Sequence, residues 1–256
     1  MTATLSSSQL PACAACTINT ALNFDFTMAF QPIVDVSSRS IYAYEALIRG
    51  PENQPAPGTL AQVNTQNRYR FDQICRLKAI ELASKLNMSA NLSINFMPNA
   101  VYRAETCLRM TLRAAARLSF PHERIIFEIT EGERITDPTH LRDIIREYKR
   151  QGFKTAIDDF GAGYAGLNLL TEFQPDIIKL DIALIRNIDQ DRVRQAIVRG
   201  ILYVCRELGI SVIAEGVEKR DELVFLRDAG IQLFQGYYFA TPGFQMLPEV
   251  PSYTWE

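Results

Sequence analysis

Only two histidines, His122 and His140, occur in this chain of 256 residues, and neither stands at the end of a strand-like segment. A histidine-rich zinc centre is therefore not expected. The five cysteines are an odd number, and Cys75, Cys107 and Cys205 sit in helical patterns where cysteine behaves as a small buried hydrophobe. No disulfide framework follows. Cys13 and Cys16 form a lone CxxC without a second pair, which reads as incidental thiols in a leader. No apolar run approaches the ~18 residues of a membrane span, and no secretory signal pattern opens the chain, so neither a membrane partner nor export is expected and the cytoplasm is the default location. A net charge of -2 carries no broad electrostatic footprint for polymeric nucleic acid.

What the chain does have is length for one large domain and 47% hydrophobic residues to fill its core. Residues 1–23 lack sustained periodicity and are expected to be a flexible leader, with residues 24–256 forming the functional domain. Strand-like and helix-like segments then alternate, with strands expected at about 27–35, 41–49, 91–96, 124–130, 154–159, 176–181, 210–215 and 231–235. Helical spacing is expected near 71–83, 138–151, 182–208 and 219–229. Residues 37–40 are too short for the crossover that a parallel pair requires, so the first two strands should be antiparallel. The pattern predicts a (β/α)8 TIM-like barrel with an antiparallel first strand.

Five strand-like runs end in an isolated polar residue: Glu45, Asn95, Glu128, Lys179 and Glu215. A sixth ends in the pair Asp158 and Asp159. Barrel enzymes assemble their sites from such strand ends. With Asp181 these are six carboxylates against two bases, Lys179 and Arg49, and like charges so crowded raise one another's pKa. Divalent cations relieve this, and an oxygen-only donor set suits two Mg2+ or Mn2+ ions, which would clamp a phosphodiester and activate water. For Glu45 and Arg49, on one strand face with Leu47, the alternative is a structural ion pair; for the Asp pair it is a turn cap.

Gly161, Gly163 and Gly166 match the GxGxxG spacing of a dinucleotide fingerprint, but that fingerprint normally opens its domain, and here a pyrophosphate would face Asp158 and Asp159. A loop letting backbone approach metals and substrate is the better reading. Lys179 is read either as a salt bridge to Asp181 or as a group acting on water or phosphate. Gln235, at the end of the eighth strand, could orient water or a guanine.

In this order Glu45-Ala-Leu-Ile-Arg49, Asn95, Glu128-Ile-Thr-Glu131, Asp158-Asp-Phe-Gly-Ala-Gly163, Lys179-Leu-Asp181, Ala214-Glu-Gly-Val-Glu218 and Gln235-Gly-Tyr-Tyr-Phe239 resemble the EAL-domain family of cyclic-di-GMP phosphodiesterases over about residues 24–245. The resemblance implies hydrolysis of cyclic-di-GMP to linear pGpG. It implies that Glu45, Asn95, Glu128 and Asp158 bind one metal and that Asp158 and Asp159 bind a second, with Glu215 nearby. Lys179 would contact the nucleophilic water, and Leu47, Arg49 and Gln235 would meet the substrate. Glu131 would hold the loop of Gly161 and Gly163, Asp181 and Glu218 would support the site, and the protein would be a homodimer. Ca2+ is expected to inhibit, because a larger ion would widen the metal spacing. Two departures from the family pattern are Gly50 in place of an aromatic and Phe96-Met-Pro-Asn99 after Asn95. The latter, with Phe71-Asp-Gln-Ile-Cys-Arg76, is similar to EAL domains fused to blue-light-sensing flavin domains, a sensor for which the leader is too short. The rival expectations are a non-catalytic receptor for the same dinucleotide and a metal-dependent barrel lyase.

Overall fold

A computed structural model describes residues 22–101, 103–130, 137–163 and 166–255. The alternating pattern near the start of the domain becomes an antiparallel pair, β1 (Thr27–Asp35) and β2 (Ser40–Arg49), with Gln31 opposite Glu45. Their tight turn is held by the Asp35 carboxylate, which accepts from the Ser37 and Ser38 backbone N–H groups. Six further strands follow in parallel: β3 (Asn91–Asn95), β4 (Ile125–Thr130), β5 (Lys154–Phe160), β6 (Ile177–Leu180), β7 (Ser211–Ala214) and β8 (Leu233–Phe234). β1 is antiparallel to β8 as well as to β2, which closes the ring. The expected barrel and its antiparallel first strand are both present. The eighth strand is shorter than expected, and β9 (Gly243–Phe244), which the periodicity did not predict, pairs with β1 near its other end.

Eight helices surround the ring among the described residues: α1 (Ala56–Leu60), α2 (Arg68–Lys85), α3 (Ala104–Arg117), α4 (Pro138–Arg150), α5 (Gly166–Glu172), α6 (Ile182–Ile185), α7 (Arg192–Leu208) and α8 (Arg220–Asp228). In α4 the buried Leu141, Ile144, Ile145 and Tyr148 recur at three and four, so one stripe meets the sheet. Asp137 starts that helix by accepting from the Thr139 and His140 N–H groups, with Pro138 at the first turn. The helical run expected over 182–208 is two helices instead. Asn187 takes a left-handed φ of 56° between them, and Asp191 caps the second by accepting from Val193 and Arg194. No helix among the described residues is long and apolar enough to cross a membrane.

Inside the ring, one layer is wholly apolar. Ile33, Ala43, Ile126, Ala156, Ile177, Ile213 and Leu233 pack together as a plug contributed by seven strands. Full burial of each Ile or Leu side chain in the plug stabilises the fold by roughly 1.5–3 kcal/mol. A separate, larger cluster fills the space between the strands and the helices.

Candidate active site

Because side chains on a strand alternate, the residue two places beyond each plug member also faces the ring interior. Those residues are Glu45, Glu128, Asp158, Lys179, Glu215 and Gln235, and on the reversed first strand the equivalent is Gln31, two places earlier. Strand polarity thus places one polar layer directly on the apolar plug, at the C-terminal rim.

Lys179 occupies the centre of this layer and is 0% exposed. Its Nζ lies 2.8 Å from Asp158, 2.8 Å from Glu215, 2.9 Å from Glu128 and 3.2 Å from Glu45. Burial alone would strip its proton, but the four carboxylates overcome this and hold its pKa well above the usual lysine value. The salt bridge to Asp181 considered from the sequence is replaced by these four contacts. One ammonium among four acids leaves the layer negative. Burial, reinforced by Glu45 and Asp158 against the pull of Lys179, raises Glu128 to about 8. Burial also carries Glu215 well above the carboxylate range, with Asp158 and Glu45 adding to it against Lys179.

The acids fall into two triads that share one member. Ligand atoms of Glu45, Glu128 and Asp158 lie within 4.8 Å of one another, and so do those of Asp158, Asp159 and Glu215. Consecutive strand residues ordinarily face opposite ways, yet Asp158 and Asp159 serve one triad. Asp159 has φ 54°, in the left-handed region, and the β5–β6 register slips between Ile157 and Phe160. This local turn, unfavourable for a residue with a Cβ, breaks the alternation and brings the second acid back over the rim. Burial, with the charges of Asp158 and Asp181, raises Asp159 to about 6. Asn95 completes the group, donating from Nδ2 to Glu45 at 2.9 Å. An all-oxygen, net-negative donor set fits hard divalent cations, and no histidine or cysteine belongs to either triad.

The other expected residues lie around this centre. Asp181 caps α6 by accepting from Ala183 N–H at 2.8 Å. Gly161 has φ 99°, and a Cβ there would come within 2.5 Å of Leu184, so no other residue fits without displacement; Gly163 follows it in the exposed turn. Glu218 pairs with Arg186 at 3.2 Å, on the surface rather than among the acids. Arg49 is half-buried, with Nη1 donating to the Ile48 carbonyl at 2.8 Å. Leu47 lines a cavity of about 330 Å³ together with Asn95, Phe71 and Met97. Gln235 donates to Glu45 at 2.7 Å and to Gln31 at 3.2 Å. Glu131 lies outside the described residues.

Two participants escaped the sequence reading. Ser93 Oγ donates to Glu128 Oε1 in a short hydrogen bond. Gln31, 8% exposed, accepts from Gln235 and donates to the Ala240 carbonyl at 3.2 Å. Both are polar residues inside apolar strand runs, Ser93 two places before Asn95 on the same strand face, and that was the available signal.

The profile of the family described as "EAL domain" matches residues 15–242. A blue light- and temperature-regulated antirepressor, BluF of Escherichia coli K12, is 36% identical over 242 residues, 94% of this chain and 59% of that protein. The cyclic di-GMP phosphodiesterase PdeR of the same organism is 35% identical over 167 residues, 65% of this chain and 24% of that protein. The chain thus spans less than two thirds of the length of either relative. Among solved structures, a standalone versatile EAL protein from Vibrio cholerae O395 in its c-di-GMP-bound form superposes with a TM-score of 0.90 and 54% identity, covering 92% of this chain and all of that one. Klebsiella pneumoniae BlrP1 in a manganese/cy-diGMP complex superposes at 0.83 with 37% identity over 88% of this chain and 58% of that one.

Proposed function

Since the chain belongs to the EAL domain family, we propose that it is a phosphodiesterase hydrolysing 3',5'-cyclic diguanylate to the linear dinucleotide pGpG. The observation that carries this reading is the pair of carboxylate triads joined at Asp158, with Lys179 between them. Glu45, Asn95, Glu128 and Asp158 would hold one Mg2+ or Mn2+, and Asp158, Asp159 and Glu215 a second. Bound there, such ions polarise a phosphoryl oxygen and make water a stronger nucleophile.

The protein's own groups have separable tasks. Lys179, whose Nζ contacts four of the carboxylates, would serve as a hydrogen-bond donor and positive charge toward water or the transferred phosphoryl group. Ser93 and Gln235 fix the rotamers of Glu128 and Glu45 by donating to them. Leu47, Arg49 and Gln235, at the rim, would meet the substrate. In the reaction, a water oxygen forms a bond to phosphorus while the bond to the 3'-oxygen breaks. One water proton ends on the departing 3'-hydroxyl and the other is released, leaving a 5'-phosphate. Asp181, Glu218 and, outside the described residues, Glu131 would support this centre together with the Gly161 to Gly163 turn.

A second reading is a non-catalytic receptor that binds the dinucleotide and signals to a protein partner; the relative named an antirepressor supports only its regulatory part. The complete acid set favours hydrolysis. Purified protein incubated with cyclic-di-GMP and Mn2+, with products resolved chromatographically, separates the two. Accumulation of pGpG is expected, and intact dinucleotide retained on the protein would favour the receptor. Homodimerisation is supported by the exposed Val193, Ile197 and Tyr203 along α7, at 68%, 47% and 62% exposure. Sedimentation over a concentration series, with turnover at each point, should show specific activity rising with the dimer fraction. A fully active monomer would refute that part.

A further inference from the structure

A second buried charge lies on the outer side of the barrel wall, away from the triads. Arg76 on α2 is 0% exposed, and its Nη2 is 2.7 Å from Asp72 Oδ2, one helical turn earlier. Its guanidinium carbon stands 5.0 Å from the Phe127 ring centre, 5.5 Å from Phe96 and 5.7 Å from Tyr148. Beyond Asp72, the Tyr148 hydroxyl is the other hydrogen-bonding group at the guanidinium among the described residues. A buried pair of this kind adds little stability over a well-packed apolar pair, so packing alone does not account for it.

The rings identify what the pair touches. Phe96 directly follows Asn95, and Phe127 directly precedes Glu128; alternation turns the rings outward to Arg76 while Asn95 and Glu128 face inward. The backbone continues the connection. Phe96 N–H donates to the Glu128 carbonyl at 3.0 Å, and Met97 N–H donates to Asp72 Oδ1 at 3.0 Å. The chain therefore leaves β3 fastened to β4 on one side and to a buried carboxylate of α2 on the other. An apolar residue at position 72 could fill the space but could not accept that N–H. Burial raises the Asp72 carboxyl pKa, while Arg76 and the Met97 N–H counteract the shift and favour the ionised acceptor.

We propose that Asp72, kept in place by Arg76, is a positioning residue that fastens the end of β3 through Met97 and so sets Asn95 beside Glu128 for metal binding. This rests on the proposed function only in assigning Asn95 to a metal.

The test uses Mn2+ affinity, read from the electron paramagnetic resonance signal of free Mn2+ in the absence of substrate. The neutral pair Asp72→Leu with Arg76→Met removes both charges and the acceptor at similar volume. It should fold with parental near-ultraviolet circular dichroism, yet bind Mn2+ at least tenfold more weakly, with KM for cyclic-di-GMP at saturating Mn2+ changed less than threefold. Asp72→Asn combined with Arg76→Gln keeps an acceptor for Met97 N–H without leaving a buried guanidinium unpaired, and should stay within threefold of the parent. Asp72→Ala with Arg76→Gln carries the same comparison where the first pair does not fold. Parental affinity in the Asp72→Leu, Arg76→Met pair would overturn the proposal, as would a loss in the Asp72→Asn, Arg76→Gln pair as large as that in the first. Mn2+ binding is read apart from turnover, so a parent that binds Mn2+ without hydrolysing the dinucleotide defeats the proposed function and leaves this comparison decisive.

Discussion

Two layers of side chains two residues apart on the same strands have opposite chemistry. The lower, from Ile33 to Leu233, is aliphatic and contains no group that water or an ion could satisfy. The upper holds four carboxylates around one ammonium, with two glutamines at its edge. The lower layer has what a barrel needs in order to fold. The upper layer has unbalanced buried charge, which folding alone disfavours. The Asp72–Arg76 pair outside the wall sharpens the contrast, being equally buried but balanced one to one. An excess of buried acids over bases marks the place where a ligand of opposite charge belongs.

Breaking the upper layer should abolish chemistry while sparing the fold. Asp158→Asn removes the member common to both triads, and turnover is expected to fall by at least about a hundredfold with an unchanged circular dichroism spectrum. Near-parental hydrolysis at saturating Mg2+ would sink the two-triad assignment. Breaking the lower layer should do the reverse. Ile177→Ala is expected to cost about 2–5 kcal/mol of stability in urea unfolding, while the folded fraction keeps a kcat within a few-fold of the parent. A loss of kcat without a loss of stability would show that the plug is not merely structural.

The contrast also has a pH signature. Asp159 and Glu128, raised to about 6 and about 8, hold protons in the folded chain at pH values where the unfolded chain, with carboxyls near ~4, has lost them. The folded state then binds more protons, so stability of the metal-free protein should fall as pH rises from about 4 to about 8. Thermal midpoints measured in chelator should decline over that window, and added Mn2+ should raise them more at pH 8 than at pH 6. A flat or rising profile in chelator would contradict the assignment of buried acids. Metal identity provides a finer test. Ca2+ should bind but inhibit Mg2+-supported turnover, because a larger ion with looser coordination would widen the metal spacing. Robust turnover with Ca2+ alone would rule this out. The smallest effect is expected at Ser93→Ala, a several-fold drop in kcat from a less constrained Glu128, measured at saturating metal.

The upper layer was legible because each of its acids interrupts an apolar run near a strand end, and Lys179 does the same. Ser93 and Gln31 carry the same signature, but Ser and Gln are ordinary strand residues and drew no attention beside charged neighbours. The direction of β1 was legible from the short connection at 37–40, whereas β9 has only two residues and no period to read. The break between α6 and α7 runs through Arg186 with ψ 123°, left-handed Asn187 and extended Asp191, inside a stretch whose apolar spacing continues on either side. Asp72 and Arg76 stand at i and i+4 on a helix, a spacing that is ordinary for solvent-exposed ion pairs and carries no sign of burial. Only the packing of Phe96, Phe127 and Tyr148 shows that the pair is interior.

The central claim, that the charged layer is a site for two divalent ions sharing Asp158, is tested most directly by equilibrium dialysis of the chelator-treated protein against Mn2+, followed by metal analysis. The parent should bind two Mn2+ per chain, and Asp158→Asn should bind fewer than one at the same free concentration. A parent that saturates at one ion or none, or an Asp158→Asn variant that retains two, would contradict it.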